Sequence, residues 1–314
     1  MLLGEYRFRG VLEDEALLPP YKGSTLRGVF GRALKEVVCA LKHQECPSCL
    51  LRGQCLYVAV FDPPAGAPSR ASPPPPFVLE PPLSPKTQFS PGEPLEFTLL
   101  LFGKSNAYLP YFVYAFEHLG RLGLGKALGG RRVRFRLLSV TCATAGVIYQ
   151  EKERLLLPAR PQELVLPTAE PPRPGVGQLT VSLLTPLRLK FQNRLQAELP
   201  FHVLLRAVLR RIATLFKEYG NGEPPLDYRG LSARAQKVQT RHSSLNWCDW
   251  KRYSHRQEQA MLLGGLLGDI TYQGELGEFL PFLSLAEKLH VGKNTTFGLG
   301  KLKITGISHG SNCG

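Results

Sequence analysis

The chain has 314 residues, a length typical of about two domains. Lys and Arg number 39 against 25 for Asp and Glu, so the formal net charge is +14, and 43% of the residues are hydrophobic. This composition excludes wholesale disorder, and no apolar run approaches the ~18 residues of a membrane span. The first residues have no apolar stretch behind a positive start, so we expect a cytoplasmic protein without a secretory signal or a membrane partner.

The excess of positive charge predicts an acidic partner. Nucleic acid is the favoured one, because Lys and Arg release counterions when they neutralise phosphates. A membrane surface is the competing partner, but we find no amphipathic basic helix with a bulky aromatic face at a terminus. Charge that only keeps the protein in solution is the remaining alternative.

The first predicted element is a helix over 24–41, in which apolar residues recur every three and four positions. Ser24 is a suitable N-cap. Gly28 and Gly31 weaken the helix locally or allow a close approach. The predicted inner face consists of Leu26, Val29, Phe30, Ala33, Leu34, Val37, Val38 and Leu41.

Four cysteines lie within 17 residues around the end of this helix: Cys39, Cys46, Cys49 and Cys55. A Cys-x-x-Cys pair with two flanking cysteines in a cytosolic chain favours metal over disulfides. Four thiolates would form a closed structural zinc site. An iron–sulfur cluster uses the same ligands, and four reduced thiols are the plain alternative.

Two proline-rich stretches organise the chain. The first, 63–94, holds twelve prolines and is predicted to be a long surface loop with polyproline character. The second, 158–174, holds six prolines and is the predicted linker. The expected domains are therefore 1–157 and 176–309, joined by residues 158–175.

Three segments alternate with a period of two, which predicts half-buried strands over 132–137, 178–192 and 301–305. Each pairs an apolar face with a basic one, which suggests sheets whose open side is positively charged. The candidate RNA contacts on these segments are Arg132, Arg134, Lys301 and Lys303.

A second helix is predicted over 201–219, with a basic outer face of Arg206, Arg210, Arg211 and Lys217. The segment 234–256 that follows is basic and contains two tryptophans. It suits a strand pair that grips RNA through charge and stacking, and equally an ordinary core hairpin.

A short internal repeat indicates a duplicated module. Residues 123–126 and 298–301 both read Gly-Leu-Gly-Lys, and each copy follows a helical stretch, about 107–122 and about 278–289. The order of elements in each half is strand, helix, strands, helix, strand. We therefore predict an α+β fold of tandem ferredoxin-like (βαββαβ, RRM-like) domains with a C-terminal glycine-rich loop. No aromatic RNA-recognition signature supports stacking of bases on the sheet.

The glycine-rich loop, residues 290–301, is the most distinctive motif of the sequence. Glycines let a backbone approach phosphate closely, and consecutive N–H groups can form an anion-binding nest. The spacing matches neither a P-loop nor a dinucleotide fingerprint, since the glycines precede a strand rather than a helix. A tight helix-to-strand turn is the alternative interpretation.

Several motifs together resemble the CRISPR-associated endoribonuclease family that cuts precursor CRISPR RNA within its repeats, a branch of the repeat-associated mysterious protein superfamily. They are the glycine-rich loop, the residues 253–257 and 263–268, and the residues 23–31 that precede the cysteines. The RNA ligands expected from these motifs and their neighbours are Lys22, Arg27, Arg252, His255, Arg256, His290, Lys293, Thr295 and Lys301. For His290, capping of the helix end is the alternative role.

The resemblance implies a cut that needs no metal ion or other cofactor. A base takes the proton of the 2′-hydroxyl beside the scissile phosphate, and the products carry a 2′,3′-cyclic phosphate and a 5′-hydroxyl. The position that matches the family's histidine is His43, and Lys42, Tyr21 and Lys22 could supply the cation or the acid. An exposed loop residue, or a metal ligand beside the cysteines, is the alternative for His43.

Two rival functions remain open at this point. The first is a non-catalytic RNA-binding subunit of a CRISPR effector complex, from the same superfamily. The second is a metal-containing DNA-binding protein built around the cysteines. The expected partners are CRISPR repeat RNA and subunits of an effector complex, and the expected state is a monomer or a homodimer.

Overall fold

The computed structural model describes residues 1–63, 73–128, 131–166, 176–191, 194–195, 198–254 and 259–309. The chain divides into two compact units. The first comprises residues 1–164 with 218–220, and the second comprises 165–217 with 221–314. Within the described residues, none of the helices has both the length and the apolar character needed to cross a membrane.

Within the described residues, the first unit contains ten strands and three α-helices. The strands are β1 (Leu2–Leu12), β2 (Ala16–Leu17), β3 (Phe77–Glu80), β4 (Gln88–Phe89), β5 (Pro94–Phe102), β6 (Leu124–Leu128), β7 (Arg131–Val133), β8 (Phe135–Cys142), β9 (Gly146–Gln150) and β10 (Gln162–Glu163). The helices are α1 (Gly23–Val38), α2 (Leu56–Phe61) and α3 (Leu109–Leu122), with 3₁₀ turns at Cys46–Ser48, Arg52–Gln54 and Gly103–Tyr108.

The main sheet of this unit has the strand order β3-β5-β1-β8-β9, with every neighbouring pair antiparallel. Its succession β1, α1, β3, β5, α3, β8 is the βαββαβ order of a ferredoxin-like domain. The helices α1 and α3 pack into one core with the sheet. Phe116 of α3 stacks on Phe30 of α1 at 4.4 Å between ring centroids and lies 4.6 Å from Phe8 of β1.

Helix α1 is shorter than the apolar spacing predicts. Its N-cap is Lys22 rather than Ser24, and it ends at Val38 because Cys39 adopts an extended conformation with ψ of 109°. Leu41 therefore lies beyond the helix, in a turn that the Gln44 N–H closes on the Leu41 carbonyl oxygen at 3.1 Å.

The proline-rich segment 63–94 is not one loop. Strand β3 interrupts it, and the apolar side chains of Phe77, Val78 and Leu79 are fully buried. Prolines can flank this strand because β3 lies at the edge of the sheet, where fewer backbone N–H groups need ladder partners.

The described part of the second unit contains seven strands and three α-helices. The strands are β11 (Val176–Leu187), β12 (Lys190–Phe191), β13 (Arg194–Leu195), β14 (Gln239–Ser243), β15 (Asn246–Ser254), β16 (Gln259–Gln273) and β17 (Leu302–His309). The helices are α4 (Phe201–Tyr219), α5 (Tyr228–Ala235) and α6 (Leu280–Leu289), with 3₁₀ turns at Gly277–Phe279 and Thr295–Phe297.

The sheet of this unit has the order β14-β16-β11-β17, and β15 forms a hairpin with the first part of β16. The order repeats the arrangement of the first unit, so the prediction of tandem ferredoxin-like domains is confirmed. Helix α4 has the predicted bounds, and its apolar face is buried. Phe201 at its start packs edge-on against Tyr272 of β16 at 5.0 Å.

The internal repeat occupies equivalent places in the two domains. Each copy follows the last α-helix of its domain, α3 or α6, and its two glycines have positive φ: Gly123 at 78°, Gly125 at 70°, Gly298 at 85° and Gly300 at 75°. Glycine adopts positive φ without steric cost, which explains why both copies have two glycines separated by one residue.

The predicted strand 132–137 is split in two. Residues up to Val133 belong to β7, which pairs with β6, whereas Phe135 begins β8 of the main sheet. The predicted strand 178–192 likewise ends at Leu187, and the separate β12 follows.

Candidate functional site

The glycine-rich loop connects α6 to β17 and is strongly curved. His290 and Asn294 have φ of 54° and 62°, and Gly292 has φ of 89°. Gly292 and Gly300 also pass close to other backbone. A Cβ would lie 2.7 Å from the Arg188 carbonyl oxygen at Gly292 and 1.8 Å from the Val291 carbonyl oxygen at Gly300. These two positions therefore require glycine for space as well as for conformation.

Backbone hydrogen bonds hold the loop against the end of β11. The N–H of Gly300 donates to the Pro186 carbonyl oxygen at 3.1 Å, and the N–H of Lys293 donates to the Arg188 carbonyl oxygen at 3.0 Å. Within the loop, the Val291 N–H donates to the Gly300 carbonyl oxygen at 2.9 Å. The loop is thus anchored at both of its ends.

A buried hydroxyl group also holds the glycine turn. Thr185 of β11 is only 1% exposed. Its Oγ1 donates to the Gly298 carbonyl oxygen at 2.8 Å and accepts the N–H of Lys301 at 2.8 Å. One side chain therefore fixes both sides of the Gly-Leu-Gly turn. The sequence analysis missed Thr185, because nothing in a strand pattern distinguishes a structural hydroxyl from an ordinary one.

The imidazole of His290 belongs to the same internal framework. The side chain is fully buried, and its Nδ1 lies 2.9 Å from the Leu299 carbonyl oxygen. The prediction that His290 contacts RNA is therefore corrected: this residue fixes the loop from inside. Thr295, also predicted to contact RNA, is 7% exposed, so its side chain offers little surface as well.

Arg211 binds the C-terminal end of α6 and is not part of an outer basic face. Its Nε and Nη2 both donate to the Leu289 carbonyl oxygen at 3.1 Å, at the last residue of α6. A guanidinium at this position satisfies a carbonyl that the helix leaves without an intrahelical partner. The predicted basic face of α4 thus retains the exposed Arg206, Arg210 and Lys217.

The cations that the loop presents outward are fewer than predicted. Lys293 is exposed, and Lys301 is half-buried. Lys303 is exposed on β17. The open face of the neighbouring sheet carries hydroxyl groups more than charges, since Ser182 pairs with Thr305 at 3.0 Å and Thr180 with Thr271 at 2.9 Å.

His43 and Lys42 are exposed on the turn that follows α1. Tyr21 precedes the same helix, and the two ends of a 16-residue helix are about 24 Å apart. Tyr21 is only 8% exposed, and burial raises the pKa of its phenol well above the usual range. The prediction that Tyr21 acts with His43 as an acid is corrected, because the core holds it neutral and away from solvent.

Lys22 is likewise a structural residue, and the prediction that it contacts RNA or assists the cut is corrected. Its side chain is 1% exposed. The ammonium group donates to the carbonyl oxygens of Pro20 at 3.1 Å and Ser84 at 2.8 Å, which ties the start of α1 to the segment before β4. Burial lowers the pKa of Lys22, because desolvation disfavours the charged form.

We expect Lys22→Ala to lower the free energy of unfolding by about 2–5 kcal/mol, because it leaves a cavity and two carbonyls without their donor. Lys22→Met keeps most of the volume and should cost less. Lys86→Ala is the matched control: its ion pair with Glu93 at 2.8 Å is exposed, so its loss should cost under about 1 kcal/mol. Urea denaturation measures all three, and equal stability of Lys22→Ala and wild type would contradict this role.

The arginines around the first sheet are exposed but paired with acids. Arg134 lies 3.5 Å from Glu13 and 3.4 Å from Asp14, and Arg136 lies 2.7 Å from Glu151. The predicted positive face is therefore partly neutralised by residues that are distant in sequence. Arg132 is also exposed.

Arg27 is half-buried, with its guanidinium 5.2 Å from the centroid of the Phe61 ring. Arg252 lies in β15, within the basic segment 234–256. His255 and Arg256 lie outside the described residues. A contact between RNA and any of these four residues stays a prediction.

The four cysteines are all half-buried free thiols in and around the turns that follow α1. Among the described residues, the structure brings together no group of three or more His, Cys, Asp and Glu side chains that could hold a metal ion. The zinc site stays a prediction. Elemental analysis of the purified chain tests it: about one zinc per chain, lost in Cys49→Ser but kept in Cys142→Ser, is the result that the sequence pattern predicts.

Two family models match the chain. One, described as the AF_1859 N-terminal domain, matches residues 1–161, and the other, described as CRISPR-associated endoribonuclease Cas6, matches residues 181–302. An uncharacterized protein of Archaeoglobus fulgidus is 28% identical over 293 residues, which cover 91% of this chain and 92% of that protein.

Solved structures share the fold. Cas6 of Thermus thermophilus matches with a TM-score of 0.53 and 17% identity, over 97% of this chain and 98% of that one. A Cas6 product complex matches at 0.52 and 17%, over 97% and 99%. A partial Cas6-RT-Cas1–Cas2 complex matches at 0.61 and 14%, over 99% of this chain and 46% of that one.

Proposed function

We propose that this chain, whose residues 181–302 match the model of the CRISPR-associated endoribonuclease Cas6 family, cuts precursor CRISPR RNA within its repeats. The observation that carries the proposal is the glycine-rich loop, which lies within the family match at residues 181–302 and is held rigid by Thr185, His290 and Arg211. Such a loop can present backbone N–H groups and the exposed Lys293 to a phosphate with little loss of entropy on binding.

In the proposed reaction His43 takes the proton of the 2′-hydroxyl beside the scissile phosphate. The 2′-oxygen attacks phosphorus in line, and the bond from phosphorus to the 5′-oxygen breaks. One product then carries a 2′,3′-cyclic phosphate, and the leaving oxygen takes up a proton to become the 5′-hydroxyl of the other. Lys42, exposed beside His43, offers positive charge for the developing phosphorane. No cofactor takes part.

A cleavage assay on end-labelled repeat RNA in excess EDTA tests the proposal. Discrete cutting with a cyclic-phosphate end is expected, and a repeat with a single 2′-deoxy substitution at the cut site should bind equally well and stay intact. Cutting of the deoxy substrate would contradict 2′-hydroxyl attack, and cutting only after addition of a divalent metal would contradict the metal-free reaction.

We expect Lys293→Ala to weaken binding of repeat RNA by about 3- to 30-fold, and to reduce the salt dependence of binding by about 0.7–0.9 of a log unit per log unit of salt, as loss of one phosphate contact predicts. Lys152→Ala, another exposed lysine, is the matched control. Filter binding at three salt concentrations measures both. Unchanged affinity of Lys293→Ala at moderate salt would remove Lys293 from the RNA site.

A non-catalytic RNA-binding subunit of a CRISPR effector complex is the second candidate. The burial of Tyr21 and Lys22 favours it, because two of the four side chains expected to assist the cut do not face solvent. Such a subunit would bind the normal and the deoxy repeat RNA alike and cut neither. For either function the proposed partners are repeat RNA and effector subunits, and the proposed state is a cytoplasmic monomer or homodimer.

A further inference from the structure

A row of tyrosines covers the outer side of α3 and the turn that leads into it. Tyr108, Tyr111 and Tyr114 are 42%, 51% and 52% exposed. They recur every three residues, so successive Cα atoms are about 4.5 Å apart along the helix axis and about 60° apart around it. We call these three residues the tyrosine row. Exposed aromatic surface that is contiguous is hydrated at a cost in free energy, which makes the row a candidate binding surface.

The helix that carries the row is rigidly held. On its opposite side Phe112, Val113 and Phe116 are buried in the core of the first domain. Phe116 stacks on Phe30 of α1 with an angle of 10° between the rings. The row is therefore a preformed platform, and a ligand does not need to order it.

Cations flank the row at both ends. Lys104 is exposed four residues before Tyr108, and Arg121 is exposed seven residues after Tyr114. Seven residues are about two helical turns, so Arg121 lies on the same side of α3 as Tyr114. The spacing places positive charge where the backbone of a chain stacked on the rings would enter and leave.

The acids near the row are already paired. Glu117 accepts from Arg154 at 3.2 Å, and Glu36 of α1 lies 2.8 Å from His118. With His118 counted as neutral, the three cations Lys104, Arg121 and Arg154 exceed the two acids Glu117 and Glu36 by one, so the charge beside the row is positive and favours an anionic ligand.

We propose that the tyrosine row binds an unpaired stretch of RNA by base stacking, with Lys104 and Arg121 on its phosphates. The inference rests on the proposed function only in taking RNA as the ligand. Stacking on aromatic rings accepts any base, because every base has a π face. The cations at both ends of the row favour an anionic chain over a protein partner, and binding of a second copy of this chain is an outcome that the test distinguishes.

Binding of a fluorescein-labelled ten-nucleotide oligouridylate to the full chain tests the proposal. The double variant Tyr111→Ala with Tyr114→Ala should weaken binding. Each lost stacking contact should reduce the affinity by about 5- to 100-fold. Tyr111→Phe with Tyr114→Phe keeps the rings and should bind within about twofold of wild type. The salt dependence should stay unchanged in both, because neither removes a phosphate contact.

Two further readouts make the result specific. Lys104→Ala should reduce the salt slope by about 0.7, the value for one contact to a single strand. The alanine pair should cut a repeat RNA without an unpaired flank at the wild-type rate. If the wild-type chain does not cut this RNA, the proposed cleavage is wrong. If the alanine pair binds the oligouridylate like wild type, the proposal for the tyrosine row is wrong. Thermal unfolding of the alanine pair should stay close to wild type, because both side chains are exposed.

Wild-type affinity of the alanine pair for the oligouridylate would overturn the proposal. Loss of affinity in the phenylalanine pair would also overturn it, because the hydroxyls rather than the rings would then bind. Conversion of a dimer to a monomer by the alanine pair, with RNA affinity unchanged, would assign the row to a second copy of the chain instead.

Discussion

We expect His43→Ala to slow cleavage of repeat RNA by about 10²- to 10⁴-fold, the typical contribution of a general base or acid, and to leave RNA affinity within about twofold of wild type. The reason is that His43 lies on an exposed turn, where its imidazole is free to meet a ribose hydroxyl and where its removal disturbs no core contact. Single-turnover cleavage with enzyme in excess measures the chemical step, and filter binding of the 2′-deoxy repeat measures affinity separately.

The matched control is His242→Ala, because His242 is also an exposed histidine but lies on β14 of the second domain. This variant should cut at the wild-type rate. If His43→Ala cuts at the wild-type rate as well, the base lies elsewhere in the chain. If both variants fail, the defect does not belong to His43.

We expect Thr185→Val to lower both the stability of the second domain and the affinity of the chain for RNA. Valine has nearly the same shape, but it cannot donate to the Gly298 carbonyl or accept the Lys301 N–H. Each buried polar group left without a partner costs about 1–3 kcal/mol, so the free energy of unfolding should fall by about 2–5 kcal/mol in total. The glycine turn then loses the group that fixes both of its sides.

Thr185→Ser keeps the hydroxyl and should restore most of the stability and nearly all of the RNA affinity. Thr305→Val is the control for a hydroxyl on the open face of the same sheet, where water can replace the bond to Ser182. A double-mutant cycle with Lys293→Ala distinguishes positioning from simple destabilisation. If Thr185 positions the loop, the effect of Lys293→Ala on affinity shrinks in the Thr185→Val background; full additivity would contradict positioning.

The fold could be predicted from the sequence because its main determinants are local. The apolar spacing of α4 and the alternation along β11 are properties of neighbouring residues. The repeated Gly-Leu-Gly-Lys indicated two related domains, and both copies have glycines with positive φ after α3 or α6. Where the sequence erred, it erred at boundaries: α1 stops at Val38, and the segment 132–137 divides between two sheets.

The roles of single side chains were less predictable, because burial and distant partners decide them. Lys22, Tyr21 and His290 are polar residues beside promising motifs, yet the fold packs all three into the interior. Arg134 and Arg136 belong to a basic pattern in sequence, but Glu13 and Glu151 arrive from other parts of the chain to pair with them. No local pattern contains that information.

The sequence by itself determined the two-domain α+β architecture, the glycine-rich loop and the family resemblance, because these depend on residue type and spacing. Only the tertiary structure decided which polar groups face water. It assigned Thr185, His290 and Arg211 to the support of the loop, and it left Lys293, His43 and the tyrosine row accessible. The physical reason is that a polar side chain can serve a ligand or the protein's own backbone, and contacts between distant segments determine which of the two it meets.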